Sequence, residues 1–411
     1  MSGSRSDPGP GRRPAVPAAP CAPSGPEEIT AGPPDGTGRV VPDPRTATDA
    51  GEPGGPAVVA GAPETAVASG AMPVARLRPG VLALALTVFA VCALAGLLVG
   101  AAGLPVRGVV LELLGRLPFV TLDSGLSPVE RGLLLQLRMP RVVLAAVVGG
   151  LLALAGAGYQ GVFRNPLADP YLLGAAAGAG LTATLVIALV PSAVGMVPIA
   201  AFAGAVGGVL LAYALGTSTA RGGGTATLVL AGVAVSSFLS ALQAFVQQMN
   251  YEQLQRIYVW ILGGIAGDWS QVWLIAPYAV VSSVVMIAHG RLLDVLSVGD
   301  DEAVSLGVNA ARVRLVVLCA ASLATASAVA VSGLIGFVGI VVPHVVRRLA
   351  GGSYRVVLPV SLLAGAAFLV LADLVARTAL APAELPIGVV TAFIGAPFFI
   401  GVLRATRAVE T

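Results

Sequence analysis

The stretch "RMPRVVLAAVVGGLLALAGAGYQGVFRNPLADPYLLG", residues 138–174, encloses a long apolar run between two polar ends. After Arg141 no charge appears until Arg164. An α-helix rises about 1.5 Å per residue, so some 20 apolar residues cross ~30 Å of hydrocarbon with every backbone polar group bonded inside the helix. The run 141–160 fits that requirement. In the polar knot that follows, Pro166 and Pro170 turn Asn165 and Asp169 away from helical geometry, so Arg164, Asn165, Pro166, Asp169 and Pro170 are expected to form a rigid turn. A second apolar run then begins at Tyr171, and helix, turn, helix predicts an all-α polytopic integral membrane protein.

The rest of the chain has the same grammar. Of its 411 residues 56% are hydrophobic and 11% charged, against about 25% charged in a soluble domain. Ten runs qualify as spans: 81–103, 141–160, 171–190, 196–215, 225–248, 272–289, 312–331, 334–349, 356–376 and 386–403. Residues 1–72 hold fourteen of the thirty prolines and no apolar run, so they are expected to be a disordered tail ahead of a membrane domain at 73–411. A secretory leader would place its apolar core directly after a short basic start, whereas the first apolar run here begins near Val81. The tail is therefore expected in the cytoplasm. Arginines beyond the tail then divide twelve inside to seven outside, which supports that orientation and puts both termini in the cytoplasm.

Glycine is abundant, with 52 residues, and pairs such as Gly174 and Gly178 let helix backbones approach closely in lipid. Lysine is absent altogether. A phosphate-binding loop of the GxxxxGK[ST] type needs that lysine, so any ATP-driven activity must take its motor from another polypeptide. Cys21, Cys92 and Cys319 lie far apart, and neither a disulfide nor a metal site is expected.

Two further loops carry information. In "RLLDVLSVGDDEAVSLGVNAARVR", residues 291–314, Asp300 or Asp301 is placed to cap a short helix and Glu302 suits its positive end. Gly307 can close that helix, and Asn309 can cap the next. Two short helices in an inner loop predict docking to a partner; the acidic residues disfavour an anionic lipid surface. On the outer side, "SPVE" at 127–130 is a capping box leading into "RMPR". Those arginines are either solvated flanking charges or receptors for a partner's carboxylates. Within the spans, Asp373 and Arg377 stand in the favourable i, i+4 order and His344 follows Pro343, all with structural roles as the simplest reading.

An ion-coupled secondary transporter needs intramembrane acids, histidine chains or broken helices aimed at a midplane site, of which little is evident. A membrane hydrolase would have only Ser332 with His344 to offer. A passive scaffold would need no docking loop.

Four stretches taken together, the opening segment with "LLDVLSVGDDEAVSLGVNAARVR", "SGLIGFVGIVVPHVVRR" and "LADLVARTALAPAELPIGVVTAFIGAPFF", resemble the permease subunits of ATP-binding-cassette importers for iron-siderophores, haem and cobalamin. They cover most of 138–407 in family order. The resemblance implies ten helices per subunit and a second permease, identical or paralogous, around a central path. It also implies two ATPase subunits that bind ATP and Mg, an extracytoplasmic substrate-binding lipoprotein, and no cofactor on the permease itself. It marks Leu292, Leu296, Asp300, Asp301, Glu302, Leu306, Gly307 and Val308 as the ATPase-coupling loop. Arg138, Arg141 and Arg377 become binding-protein docking residues, and Thr225, Ala226 and Thr227 an inner gate, with Ala226 where a small polar residue stands in a relative.

Overall fold

The computed structural model describes residues 78–100, 103–116, 122–218 and 225–410. The expected disordered tail at 1–72 lies outside the described residues, as does the side chain of Thr225. Every regular element among the described residues is helical. The chain runs through α1 (Pro79–Leu98), α2 (Val106–Leu114), α3 (Pro128–Gly132), α4 (Met139–Phe163), α5 (Ala175–Leu189), α6 (Val197–Ser218), α7 (Thr225–Met249) and α8 (Leu254–Ile261). It continues through α9 (Trp269–Ala288), α10 (Gly290–Val298), α11 (Asp300–Ser305), α12 (Ala310–Ser332), α13 (Val338–Ala350), α14 (Tyr354–Thr378) and α15 (Ile387–Glu410).

Seven helical stretches among the described residues are long and apolar enough to cross a membrane. The other three expected spans are shorter: α5 has 15 residues, α13 has 13, and the apolar part of α15 covers Ile387–Val402. At 1.5 Å per residue α13 rises about 20 Å, short of the ~30 Å hydrocarbon layer. Its apolar run nevertheless begins at Leu334, in a stretch, 333–337, that is buried or half-buried without being helical. Tyr171 makes that possible: its hydroxyl donates to Ile335 O at 3.0 Å and accepts from Ile335 N at 3.1 Å. Gly264 N bonds Ser332 O, while Ile387 N and Gly388 N bond Gly263 O and Leu262 O. Non-helical backbone survives at depth only where protein supplies such partners. Interruptions of this kind were not evident from the apolar runs.

Helix α4 is the most enclosed span and packs against α12, α13 and α14, while α1, α6, α7 and α9 leave most of their surface free. Small residues set the spacing. A Cβ built on Gly156 would stand 2.0 Å from Gly339 O, and one on Gly178 2.0 Å from Gly204 O, so those helix pairs meet backbone to backbone. Ahead of α4 the capping box forms as expected, with Ser127 Oγ accepting from Glu130 N and Glu130 bonding Ser127 N. A π-helical stretch, Leu133–Arg138, then joins α3 to α4. Pro140 has no N–H to give the carbonyl four residues back, and a wider turn before it accommodates that loss.

Candidate functional site

Polar side chains gather at both ends of α4, whose 25 residues separate them by about 37 Å. At the C-terminal end, Arg164 takes the left-handed conformation at φ 50° and ends the helix. Asn165 Oδ1 accepts from Leu167 N and Asp169 Oδ1 from Tyr171 N, so the knot is a pair of Asx turns, as the prolines implied. Its arginine then leaves the turn: Arg164 Nε donates to Leu296 O at 2.8 Å and its Nη2 bonds the Asp300 carboxylate. Arg314 Nη2 donates to the same oxygen. Two guanidiniums thus hold one carboxylate, and hydrogen bonding from Arg314, with both positive charges, pulls Asp300 below the usual carboxylate range.

This corrects one expectation. Neither Asp300 nor Asp301 caps α11; the cap position is Gly299, and no side chain accepts there. Asp300 lies in the first turn and spends its carboxylate on tertiary partners that local sequence does not disclose. The other expectations for the loop fit: Gly307 has φ +76° with its N–H on Val304 O, and Asn309 Oδ1 accepts from Arg312 N. Leu296 is buried and Leu292 half-buried against the core, whereas Asp301, Glu302 and Leu306 are exposed. Val308 is half-buried and lines, with Asp300, Gly307 and Arg314, a cleft at the back of α11.

Asp294 was not singled out by the sequence, yet it fastens α10 to α14. It accepts from Tyr354 N at 2.5 Å and from Ser353 Oγ at 2.7 Å, which satisfies the N-terminus of α14 from another helix. A lone acid amid the apolar positions of "RLLDVL" was the available signal. A neighbouring cavity of about 220 Å³ is lined by Gln160, Arg164, Ser297, Arg347 and Tyr354. Arg347 bonds Gln160 and stands over the Tyr354 ring at 5.4 Å.

At the N-terminal end of α4 the three arginines expected to dock a partner have different surroundings. Arg138 is 6% exposed and donates to Leu97 O at 2.9 Å and Leu98 O at 3.2 Å; Arg377, whose side chain is 8% exposed, bonds Gly96 O. Both serve the last carbonyls of α1, a helix with no basic residue in its own last turn. Arg141 is the most accessible. Its Nε donates to Asp373 Oδ1 at 2.9 Å, while Nη1 and Nη2 form a fork on Glu384 at 3.0 and 2.9 Å. Asp373 is 1% exposed between Arg141 and Arg377, the second at 3.4 Å, so the i, i+4 pair is structural as expected. Glu384 is more than half exposed, and the hydrogen bonds from Arg141 lower its pKa. It was missed because its partner lies 243 residues away.

Ala226 at the start of α7 is exposed and Thr227 half-buried; α7 itself is mostly uncovered. Ser332 Oγ donates to Ala328 O, and His344 sets its ring edge-on to Phe398 at 5.7 Å. They do not form a nucleophile and base.

With this geometry in hand, the likenesses to known proteins are specific. Residues 86–405 match the model of the FecCD transport family. The cobalamin import system permease protein of Halobacterium salinarum is 45% identical over 271 residues, 65% of this chain and 72% of that one. The Fe(3+) dicitrate transport system permease protein of Escherichia coli is 40% identical over 67% of this chain and 86% of its own. The hemin transport system permease protein of Yersinia pestis is 37% identical over 66% and 83%. Among solved structures, an inward-facing conformation of a metal-chelate type ATP-binding-cassette transporter superposes with a TM-score of 0.70 at 31% identity, covering 80% of this chain and all of that one.

Proposed function

The chain belongs to the FecCD transport family, and from that membership we propose that its cargo is a ferric siderophore, delivered by a binding protein and moved through a pair of permease subunits. The chain is a permease subunit of an ATP-binding-cassette importer in the cell membrane, and ATP hydrolysis resides on a separate subunit. The cargoes for which these relatives are named, ferric dicitrate, hemin and cobalamin, share a metal enclosed in a bulky organic chelate. A ferric siderophore is of that class.

The reading places the Arg164 end of α4 and both termini in the cytoplasm, with α10 and α11 against one of two ATPases. Ten crossings then comprise the seven long spans, the two shorter apolar helices α5 and α15, and α13 with the non-helical run before it. The observation that carries it is the Asp300 node, in which a surface loop is bolted to the end of a transmembrane helix by Arg164 and Arg314. Force applied to α11 reaches α4 through charged contacts, without crossing a flexible hinge. ATP binding shifts the bundle between two states by the difference in ATPase affinity for each. The same reading makes Arg141, stiffened from behind by Asp373, the principal docking arginine, and Thr225, Ala226 and Thr227 the inner gate.

The test is reconstitution in vesicles with the ATPase and binding protein. ATP-dependent accumulation of labelled ferric siderophore is expected, unaffected by excess cobalamin or hemin. Accumulation of cobalamin or hemin alone would overturn the cargo, and accumulation driven by an ion gradient without ATP would overturn the importer.

A further inference from the structure

The Arg141 fork presents an arrangement that docking alone does not explain. A guanidinium meant for a partner's carboxylate is already engaged, with two bonds, by a carboxylate of its own chain. The two acids on Arg141 are not equivalent. Asp373 is buried and shared with Arg377, so its departure would take a carboxylate from two arginines at once. Glu384 is more than half exposed, on a loop between α14 and α15.

That loop is itself anchored. Leu385 N donates to Ala376 O at 2.8 Å, and the next turn is bonded to Gly263 and Leu262. The backbone under Glu384 is therefore held while its side chain is free to rotate off Arg141 into water. Arg141 keeps its contacts to Asp373 when it does so.

We propose that Glu384 is a built-in placeholder: it occupies the Arg141 fork in the undocked permease and is displaced by a carboxylate of the incoming binding protein. This rests on the docking role proposed for Arg141. The exchange trades one carboxylate–guanidinium fork for another, so docking at this point costs little desolvation and contributes less net affinity than an unoccupied fork would. Its consequence is reversibility: the binding protein seats on a preformed site and leaves easily, because Glu384 competes for the vacated fork.

The experiment measures affinity of detergent-solubilised permease–ATPase complex for the binding protein that sustains uptake in reconstituted vesicles. Wild type, Glu384→Gln and Arg141→Lys are compared. Arg141→Lys keeps a positive charge beside Asp373 but loses the planar fork. Glu384→Gln is expected to tighten binding about fivefold, mainly through slower dissociation, since an exposed competing ion pair has been removed. Arg141→Lys is expected to weaken it. If Glu384→Gln leaves affinity unchanged or lowers it while Arg141→Lys weakens binding, Glu384 belongs to the docking surface or only to the fold, and the placeholder is overturned with docking intact. If neither substitution changes affinity, the docking role of Arg141 fails and the placeholder with it.

Discussion

Arg164 and Asp300, 136 residues apart, are joined by a hydrogen-bonded ion pair that locks the last residue of α4's turn to the first residue of α11. Because α4 is the most enclosed span, the coupling role proposed for α11 would carry its displacement to the centre of the bundle through this pair. The pair is exposed enough that its contribution to folding is small, roughly 1 kcal/mol or less. Asp300→Asn should therefore insert and fold normally, yet lower the solute transported per ATP hydrolysed. Parallel assays of uptake and ATPase turnover in vesicles check this; an unchanged ratio would remove the node from the coupling path. The folded-state pKa of Asp300 is depressed, so its stabilising contribution is present above the ordinary carboxylate value near 4 and is lost as pH falls through the lower folded value. Coupling should hold down to mildly acidic pH.

Asp301 and Glu302 differ from Asp300 in facing solvent without an ion-pair partner among the described residues. Reversing both, with Asp301→Arg and Glu302→Arg, leaves the node intact but places positive charge at the positive end of α11 and opposite a partner's surface. The expected outcome is loss of ATPase association with little change in the melting of the isolated permease. Co-purification with the ATPase measures it, and full retention of the ATPase would count against this surface as the docking face.

The spans were legible because hydropathy is a local property, and so were the Ser127 capping box, the Asn309 cap and the Gly307 stop. Features that depend on distant partners were not. The run at 334–349 looked like a full crossing because nothing in it reveals that Tyr171, far upstream, satisfies Ile335. Asp300 looked like a cap until Arg164 and Arg314 claimed it. Arg138 read as a solvated charge or a receptor for a partner's carboxylate, and Arg377 as the partner of Asp373, whereas the carbonyls ending α1 engage both. Asp300 was found by type and misjudged by partner, and Asp294 and Glu384 were missed, since spacing records only neighbours along the chain.

Asp169 supplies a pH dependence of opposite sign. Burial raises its pKa to about 6, above the unfolded value near 4, so the folded state holds a proton that the unfolded chain releases. Stability conferred by that proton is complete below the unfolded pKa and declines as pH rises toward 6. Asp169→Asn keeps an oxygen to accept from Tyr171 N but carries no charge. It should raise the melting temperature at pH 7 and flatten its change between pH 4 and 6. Thermal melts across that range read the effect directly.

Gly156 tests the packing on which both ends of α4 depend. A methyl group there would stand 2.0 Å from Gly339 O and 2.5 Å from its carbonyl carbon, closer than any real contact, and what it meets is backbone, which cannot rotate aside. Gly156→Ala should therefore separate α4 from α13 at a cost of about 1–3 kcal/mol, the usual range for overpacking. Gln160, one turn further along α4, bonds Gly339 O at 3.0 Å and also holds Arg347, so the shift would loosen the polar cluster near the knot as well. Gly132→Ala is the matched control, since nothing lies within 4 Å of its added Cβ. Reduced thermal stability in detergent for Gly156→Ala, with Gly132→Ala behaving as wild type, is the expected pattern; equal behaviour of the two would mean that α4 and α13 do not meet this closely.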